Sequence, residues 1–144
     1  GSSNLEAADL TKVRGHQIDL QNAKLDRVQA KGCKFQQADL AQASLQEADL
    51  TGATLGRANL QEANLQKARL LGAQLRNANF FQADLREANL WRADLSNARF
   101  EGANLQGANL SKANLSRARI SDDQLKQAHS LSGATMPDGT IYED

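Results

Sequence analysis

Apolar residues recur every five positions along this chain, from residue 8 to residue 120. At the positions divisible by five from 10 to 120, Leu, Phe or Ile fills 21 of 23, with Gly15 and Ala30 as the exceptions. Two residues earlier, Ala fills 19 of 23, with Val13, Ile18, Val28 and Cys33 as the exceptions. The residue between is often Asp or Asn, as in Ala48-Asp49-Leu50 and Ala108-Asn109-Leu110, and the last two positions of each unit are mostly polar. A pattern this regular excludes both ordinary elements. On an α-helix, five residues advance a side chain by about 140° beyond a full turn, so the leucines would wind around the helix without forming a stripe. On a flat strand of period two, successive leucines would point to opposite faces. A chain that turns after every five residues buries all of them, with Ala and Leu facing inward and the other three positions facing solvent.

A second period of twenty is superimposed on the first. Gly32, Gly52 and Gly72 are spaced by twenty, as are Phe80 and Phe100, and Leu71 and Trp91. Twenty residues make four units per coil. On that geometry Leu50, Leu70, Leu90 and Leu110 stack in one inward column, and Phe80 meets Phe100. Two irregular sites point to volume conservation within the inward pair: Gly15 follows Val13 and Ala30 follows Val28, so the small partner grows where the large one shrinks.

Runs such as Ala58-Asn59-Leu60-Gln61-Glu62 and Ala83-Asp84-Leu85-Arg86-Glu87 resemble the A(D/N)LXX repeat of the pentapeptide-repeat family. The resemblance covers roughly residues 5–120. It implies an all-β fold, a right-handed quadrilateral β-helix of about six coils, in a family abundant in cyanobacteria and present in plant thylakoids. At an inter-strand spacing of about 4.8 Å the rod would be roughly 29 Å long. Each coil depends on its neighbours for stability. Outward Asp and Asn are expected to bond backbone at the corners, and Asn pairs such as Asn59–Asn79 and Asn89–Asn109 to form ladders.

The two ends differ. Gly1-Ser2-Ser3 has the form of a cloning remnant, so residues 1–4 are expected to precede the fold and an export signal to be open to removal. The compartment therefore stays open between cytoplasm, periplasm and thylakoid lumen. At the C-terminal end the repeat fails at Asp123. Ser121-Asp122-Asp123-Gln124 reads as a helix capping box, with Ser121 at the N-cap and Gln124 at the third helical position. This predicts a helix from about 122 to 129 with Leu125 and Ala128 turned inward, then a tight turn at Met136-Pro137-Asp138-Gly139. Leu125, Leu131, Ile141 and Tyr142 are expected to cover the last coil, making 121–144 a cap. The N-terminal end has no comparable cap, which predicts either a monomer or an end-to-end dimer through that face.

Charge narrows function more than it suggests one. Seventeen Lys and Arg balance seventeen Asp and Glu. Neutrality disfavours a dedicated nucleic-acid binder and a strongly acidic mimic of nucleic acid. Residues 61–120 hold nine basic and five acidic side chains, whereas 121–144 hold Lys126 against five acids. No apolar run approaches the roughly 20 residues of a membrane span. The single cysteine, Cys33, takes an inward site normally held by Ala and reads as a core residue. His16 and His129 have no partner at metal-ligand spacing. No nucleophile triad, phosphate loop or zinc motif is present. No catalytic, metal or cofactor site is expected.

The informative exceptions face outward. Leu71, Phe81 and Trp91 follow the central residue, at a position that elsewhere is mostly polar. Leu71 and Trp91 would stack in adjacent coils, with Arg92 beside Trp91 and Phe81 on the opposite side. These residue types are favoured in protein interfaces. The leading reading is a non-enzymatic structural or protein-binding scaffold with an unidentified protein partner. The alternative is modulation of DNA gyrase. Some members of the family resemble B-DNA in shape and negative charge and bind topoisomerase, a mode that this neutral chain disfavours.

Overall fold

The computed structural model describes residues 2–144. Gly1, the first residue of the expected remnant, lies outside the described residues. The chain winds into a β-helix in which each residue of the Asp/Asn column pairs in parallel with the residue twenty positions on. The pairing runs from Asn4–Lys24 to Arg99–Arg119. Asn4 therefore already belongs to the first coil, and the Ser3 carbonyl accepts a hydrogen bond from the Lys24 N–H at 2.7 Å.

The five-residue unit follows from two local devices. The first is a turn closed by a three-residue hydrogen bond, such as Ala53 N–H to the Leu50 carbonyl at 2.9 Å. Its third residue takes a positive φ, as in a type II turn. Gly52 and Gly72 occupy this site without strain (φ 68° and 63°), but Arg57 and Arg92 adopt φ 58° there as well. The repeat imposes that conformation on side chains that would otherwise avoid it. The second device is the Asp or Asn side chain. Asp49 Oδ1 accepts from the Thr51 N–H at 3.1 Å, and Asn89 Oδ1 from the Trp91 N–H at 3.1 Å. Each fixes the corner that follows it. Asn79 also donates to Asn59 Oδ1 at 3.5 Å, and Asn59 to Asp39 Oδ1 at 3.3 Å, so that ladder forms. Asn89 and Asn109 lie in register, and their oxygens accept from Trp91 and Ser111.

The Ala and Leu columns fill the interior. Leu50 is 2% exposed, and Leu70, Leu90 and Leu110 are wholly buried one above the other. Each such leucine contributes about 2 kcal/mol of burial. Phe80 and Phe100 stack at 5.0 Å between centroids, 7° from parallel. Cys33 is buried, and desolvation pushes its thiol up to about 12.

The first coil corrects one expectation. Val13 is 37% exposed and does not fill the space left by Gly15. A Cβ on Gly15 would lie 3.0 Å from the Phe35 ring, so the volume is taken by the aromatic residue twenty positions later. Phe35 and Gly15 are the compensating pair. Val28 and Ala30 are both buried, as expected.

At the C-terminal end, α1 spans Asp122–Gln127, two residues shorter than the expected 122–129. Ser121 and Gln124 form the full reciprocal capping box. Ala128 is the extended C-cap residue (ψ 146°) because the next residue must rejoin the ladder: the His129 N–H donates to the Ala108 carbonyl at 2.7 Å. The helix inserts one extra residue, so pairing resumes at a lag of twenty-one, Asn109 with Ser130 and Asn114 with Thr135. Leu125 is buried and Leu131 half-buried, but Ile141 and Tyr142 are 56% and 39% exposed. Their side chains do not cover the core as expected. Their backbone contributes instead. After the Met136–Gly139 turn the chain reverses, and Tyr142 donates to the Ala134 carbonyl at 2.8 Å and accepts from the Gly133 N–H at 3.1 Å. Those two groups would otherwise face a missing coil. At the other end, the N–H groups of Asp9, Arg14 and Asp19 donate to nothing among the described residues.

Candidate functional site

The corner after the Leu column places Thr51, Leu71, Trp91 and Ser111 in successive coils. The register is set by the Gly52 N–H to the Leu71 carbonyl at 2.9 Å and the Gly72 N–H to the Trp91 carbonyl at 2.8 Å. Trp91 is 36% exposed, and Leu71 is half-buried beneath it. The Arg92 guanidinium carbon lies 4.6 Å from the Trp91 ring centroid, a cation–π contact that holds both groups at the surface. A Cβ on Gly52 or Gly72 would touch nothing within 4 Å, so the strip beside Leu71 and Trp91 is bare. The C-terminal tail pairs with residues 133–136 at the rod's end and leaves Trp91 open.

Phe81 is not part of this surface. It is half-buried ten residues away, half a turn around the rod, with its N–H bonded to Asn79 Oδ1. The structure thus brings together Leu71, Trp91 and Arg92 and separates Phe81 from them. Leu50, Leu70, Phe80, Leu90, Phe100 and Leu110 are interior residues, and Ser121, Gln124 and Leu125 lie at the end.

Beside the column and on the opposite side of the rod alike, carboxylates are held below their ordinary range by their partners. Burial raises the Asp49 carboxyl, but hydrogen bonds from Thr51 and the charges of Lys31 and Arg69 outweigh it and leave it below the ordinary range. Asp84 is held low chiefly by its Arg86 hydrogen bond, closed by a 2.6 Å contact. Among the described residues, no three His, Cys, Asp or Glu side chains gather where they could hold a metal ion. His16 and His129 are both exposed.

One feature of the surface was hidden in the linear sequence. Arg14, Lys34, Arg57 and Arg76 come from four successive coils and line one shallow hollow. Grouping charges by position within the twenty-residue coil would have found them, whereas counting along the chain scatters them.

The family profile of pentapeptide repeats matches residues 2–41, 23–61, 43–82 and 83–122. The chain belongs to the pentapeptide-repeat family. Among solved structures it is similar to a pentapeptide repeat protein, Rfr23, from the cyanobacterium Cyanothece 51142. Identity is 37% and the TM-score 0.62, over 65% of this chain and 64% of that one. The chain thus spans less than two thirds of the length of Rfr23. It is also similar to QnrB1, a plasmid-mediated fluoroquinolone resistance protein. There the identity is 17% and the TM-score 0.59, over 95% of this chain and 81% of that one. At that identity the likeness is one of fold alone. No match is found among the curated proteins. Among the described residues, no helix is long and apolar enough to cross a membrane.

Proposed function

We propose that this pentapeptide-repeat protein is a non-enzymatic scaffold that binds a protein partner through its side. In this reading residues 5–120 form a right-handed quadrilateral rod of about six coils, and residues 121–144 cap its last coil. The observation that carries the reading is the Leu71–Trp91–Arg92 cluster. Trp91 is an exposed aromatic held by a stacked guanidinium above a half-buried leucine, on a corner column whose neighbours Thr51 and Ser111 are small and polar. Trp and Arg are enriched among the few residues that carry most of the binding energy at protein interfaces. The unpaired backbone at Asp9, Arg14 and Asp19 is the face that would support end-to-end pairing of two copies.

Mimicry of B-DNA toward gyrase requires a strongly negative surface. The total charge is zero, and Arg92 at the candidate column is positive, so that reading is not adopted. Affinity capture from native extract tests the proposal. The Leu71→Ala/Trp91→Ala protein should lose a partner that the wild type retains, with a melting temperature nearly unchanged. Capture equal to that of the wild type would place the interaction face elsewhere.

A further inference from the structure

Charge on this rod is sorted by side rather than by sequence. One side consists of residues 11–17 and the five segments that follow at intervals of twenty, through 111–117. It holds nine Lys and Arg and a single acid, Asp94. The opposite side, residues 2–7 and the segments that follow at intervals of twenty, through 101–107, holds four Lys and Arg and seven acids. The net values are therefore +8 and −3 in a protein of zero net charge. Of the nine cations only Lys31 has an ion pair among the described residues, with Asp49 at 3.7 Å. The other eight have no carboxylate within ion-pair distance among the described residues.

The same side carries a built depression of about 750 Å3, ringed by Arg14, Lys34, Arg57 and Arg76. Gly56 lies in it, in the corner column that holds His16, Gln36 and Arg76 in the adjoining coils and Ser96 and Ser116 beyond them. Nothing in the fold requires glycine there. Gly56 is not among the residues with positive φ, and a Cβ would meet the Arg76 carbonyl at an unstrained 3.8 Å. The missing side chain opens space between the cations. The amides of Gln36, Gln37 and Asn77 also border the depression.

The geometry points to this side as the docking surface for an acidic segment of a protein partner, seated in the Gly56 depression with its carboxylates on Arg57, Arg76, Lys34 and Arg14. This rests on the reading of the chain as a protein-binding scaffold and adds the chemistry of the partner. The four cations span three inter-coil steps, about 14 Å. An extended segment of four or five residues covers that length, with alternate side chains reaching the same face. Guanidinium groups pair two-point with carboxylates, and the three amides offer donors and acceptors to the segment's backbone. Leu71, Trp91 and Arg92 lie along the far edge of the same side, so acidic and apolar contacts on one partner would meet one continuous surface. A nucleic-acid duplex fits less well. Its major groove alone is about 12 Å wide, whereas one straight segment of the coil is three residues, about 10 Å. Beside the coils of the depression a duplex would overhang toward Asp9, Asp19, Asp39 and Asp49 on the neighbouring sides, against Arg69 alone, and the side offers no aromatic platform for a single strand beyond Trp91.

Fluorescence anisotropy with a labelled decapeptide alternating Glu and Ser tests the assignment. A peptide with Gln in place of Glu and a labelled 20-base-pair duplex serve as comparison probes. The Glu peptide should bind, weaken as salt rises, and bind more tightly than either comparison probe. Arg57→Gln/Arg76→Gln should weaken it at least tenfold. Gly56→Gln, which Gln36 shows the column accommodates, should weaken it several-fold with no change of charge. Lys67→Gln, on the opposite side, should leave it unchanged. Three results would each overturn the assignment: no salt-dependent binding, equal binding by the Gly56→Gln protein, or tighter binding of the duplex, which would make this a nucleic-acid surface. Capture from native extract by the Leu71→Ala/Trp91→Ala protein separates the two readings. Retained capture removes the Trp91 column while the peptide result stands on its own arms.

Discussion

Replacing Gln124 by Ala removes the side chain that stands in for a missing coil. In a regular coil the Ala103 carbonyl would accept from the backbone N–H of the next coil. The chain there has turned into α1, and Gln124 Nε2 donates to that carbonyl at 3.0 Å and also to the Phe100 carbonyl. Gln124 Oε1 closes the capping box by accepting from the Ser121 N–H at 2.9 Å. The Phe100 carbonyl keeps its turn bond from Ala103, so the Ala103 carbonyl is the group left unpaired. An unsatisfied, partly buried carbonyl costs about 1–3 kcal/mol, and half a capping box about 1 kcal/mol more. Gln124→Ala should therefore destabilise by about 2–4 kcal/mol. For a chain of this size that lowers the melting temperature by roughly 5–15 °C. Ser121→Ala loses the cap alone and should cost about 1 kcal/mol. Thermal unfolding followed by circular dichroism compares the two. Equal losses in the two variants would refute the claim that Gln124 replaces a coil's hydrogen bond at the rod's edge.

Gly15→Ala should destabilise by about 1–3 kcal/mol through contact with Phe35, and Phe35→Leu in the same chain should recover much of it; additive losses in a denaturant double-mutant cycle would contradict the pairing. Cys33 should resist a thiol reagent at pH 8 in the folded protein and react fully on unfolding, because the thiol is buried and its pKa stands at about 12; rapid labelling of native protein would contradict its placement. Stability should fall with acid. The carboxyls of Asp49 and Asp84 titrate below their unfolded values, so their contribution is present above about pH 4 and is lost as pH falls through the folded values. Melting temperatures measured from pH 7 to pH 2 check this, and a flat profile would contradict it.

Much of the fold was legible because the repeat makes one local rule serve many coils. The inward columns could be read from Leu50 through Leu110, and the coil length from Phe80 with Phe100. The capping box was legible because Ser121 and Gln124 are three residues apart and interact locally. What escaped the sequence depends on residues distant along the chain. Gly15 is filled by Phe35, twenty positions on, whereas chain proximity suggested Val13. The helix stops at Gln127 because His129 must return to the Ala108 carbonyl, a demand no propensity records. Ile141 and Tyr142 look like apolar cover in the sequence, but Tyr142 acts through its backbone and both residues keep more than a third of their surface exposed. Leu71, Phe81 and Trp91 stand out in the sequence as exceptions to a polar pattern, and Arg92 only as the neighbour of Trp91. Arg14, Lys34, Arg57 and Arg76 are ordinary polar residues in their own repeats, and only the winding brings them to one side.

The central claim is that neighbours on this surface are the residues twenty positions apart, and disulfide trapping in a Cys33→Ala background tests it most directly. Asn59 and Asn79 are paired across adjacent coils, within the separation a disulfide bridges, about 4.4–6.8 Å between Cα atoms. Asn59→Cys/Asn79→Cys should cross-link under mild oxidation within the monomer. Asn59→Cys/Asn89→Cys, thirty positions apart and on opposite sides of the rod, should not. Efficient intramolecular cross-linking at thirty, or none at twenty, would contradict the four-sided coil and with it every surface assigned here.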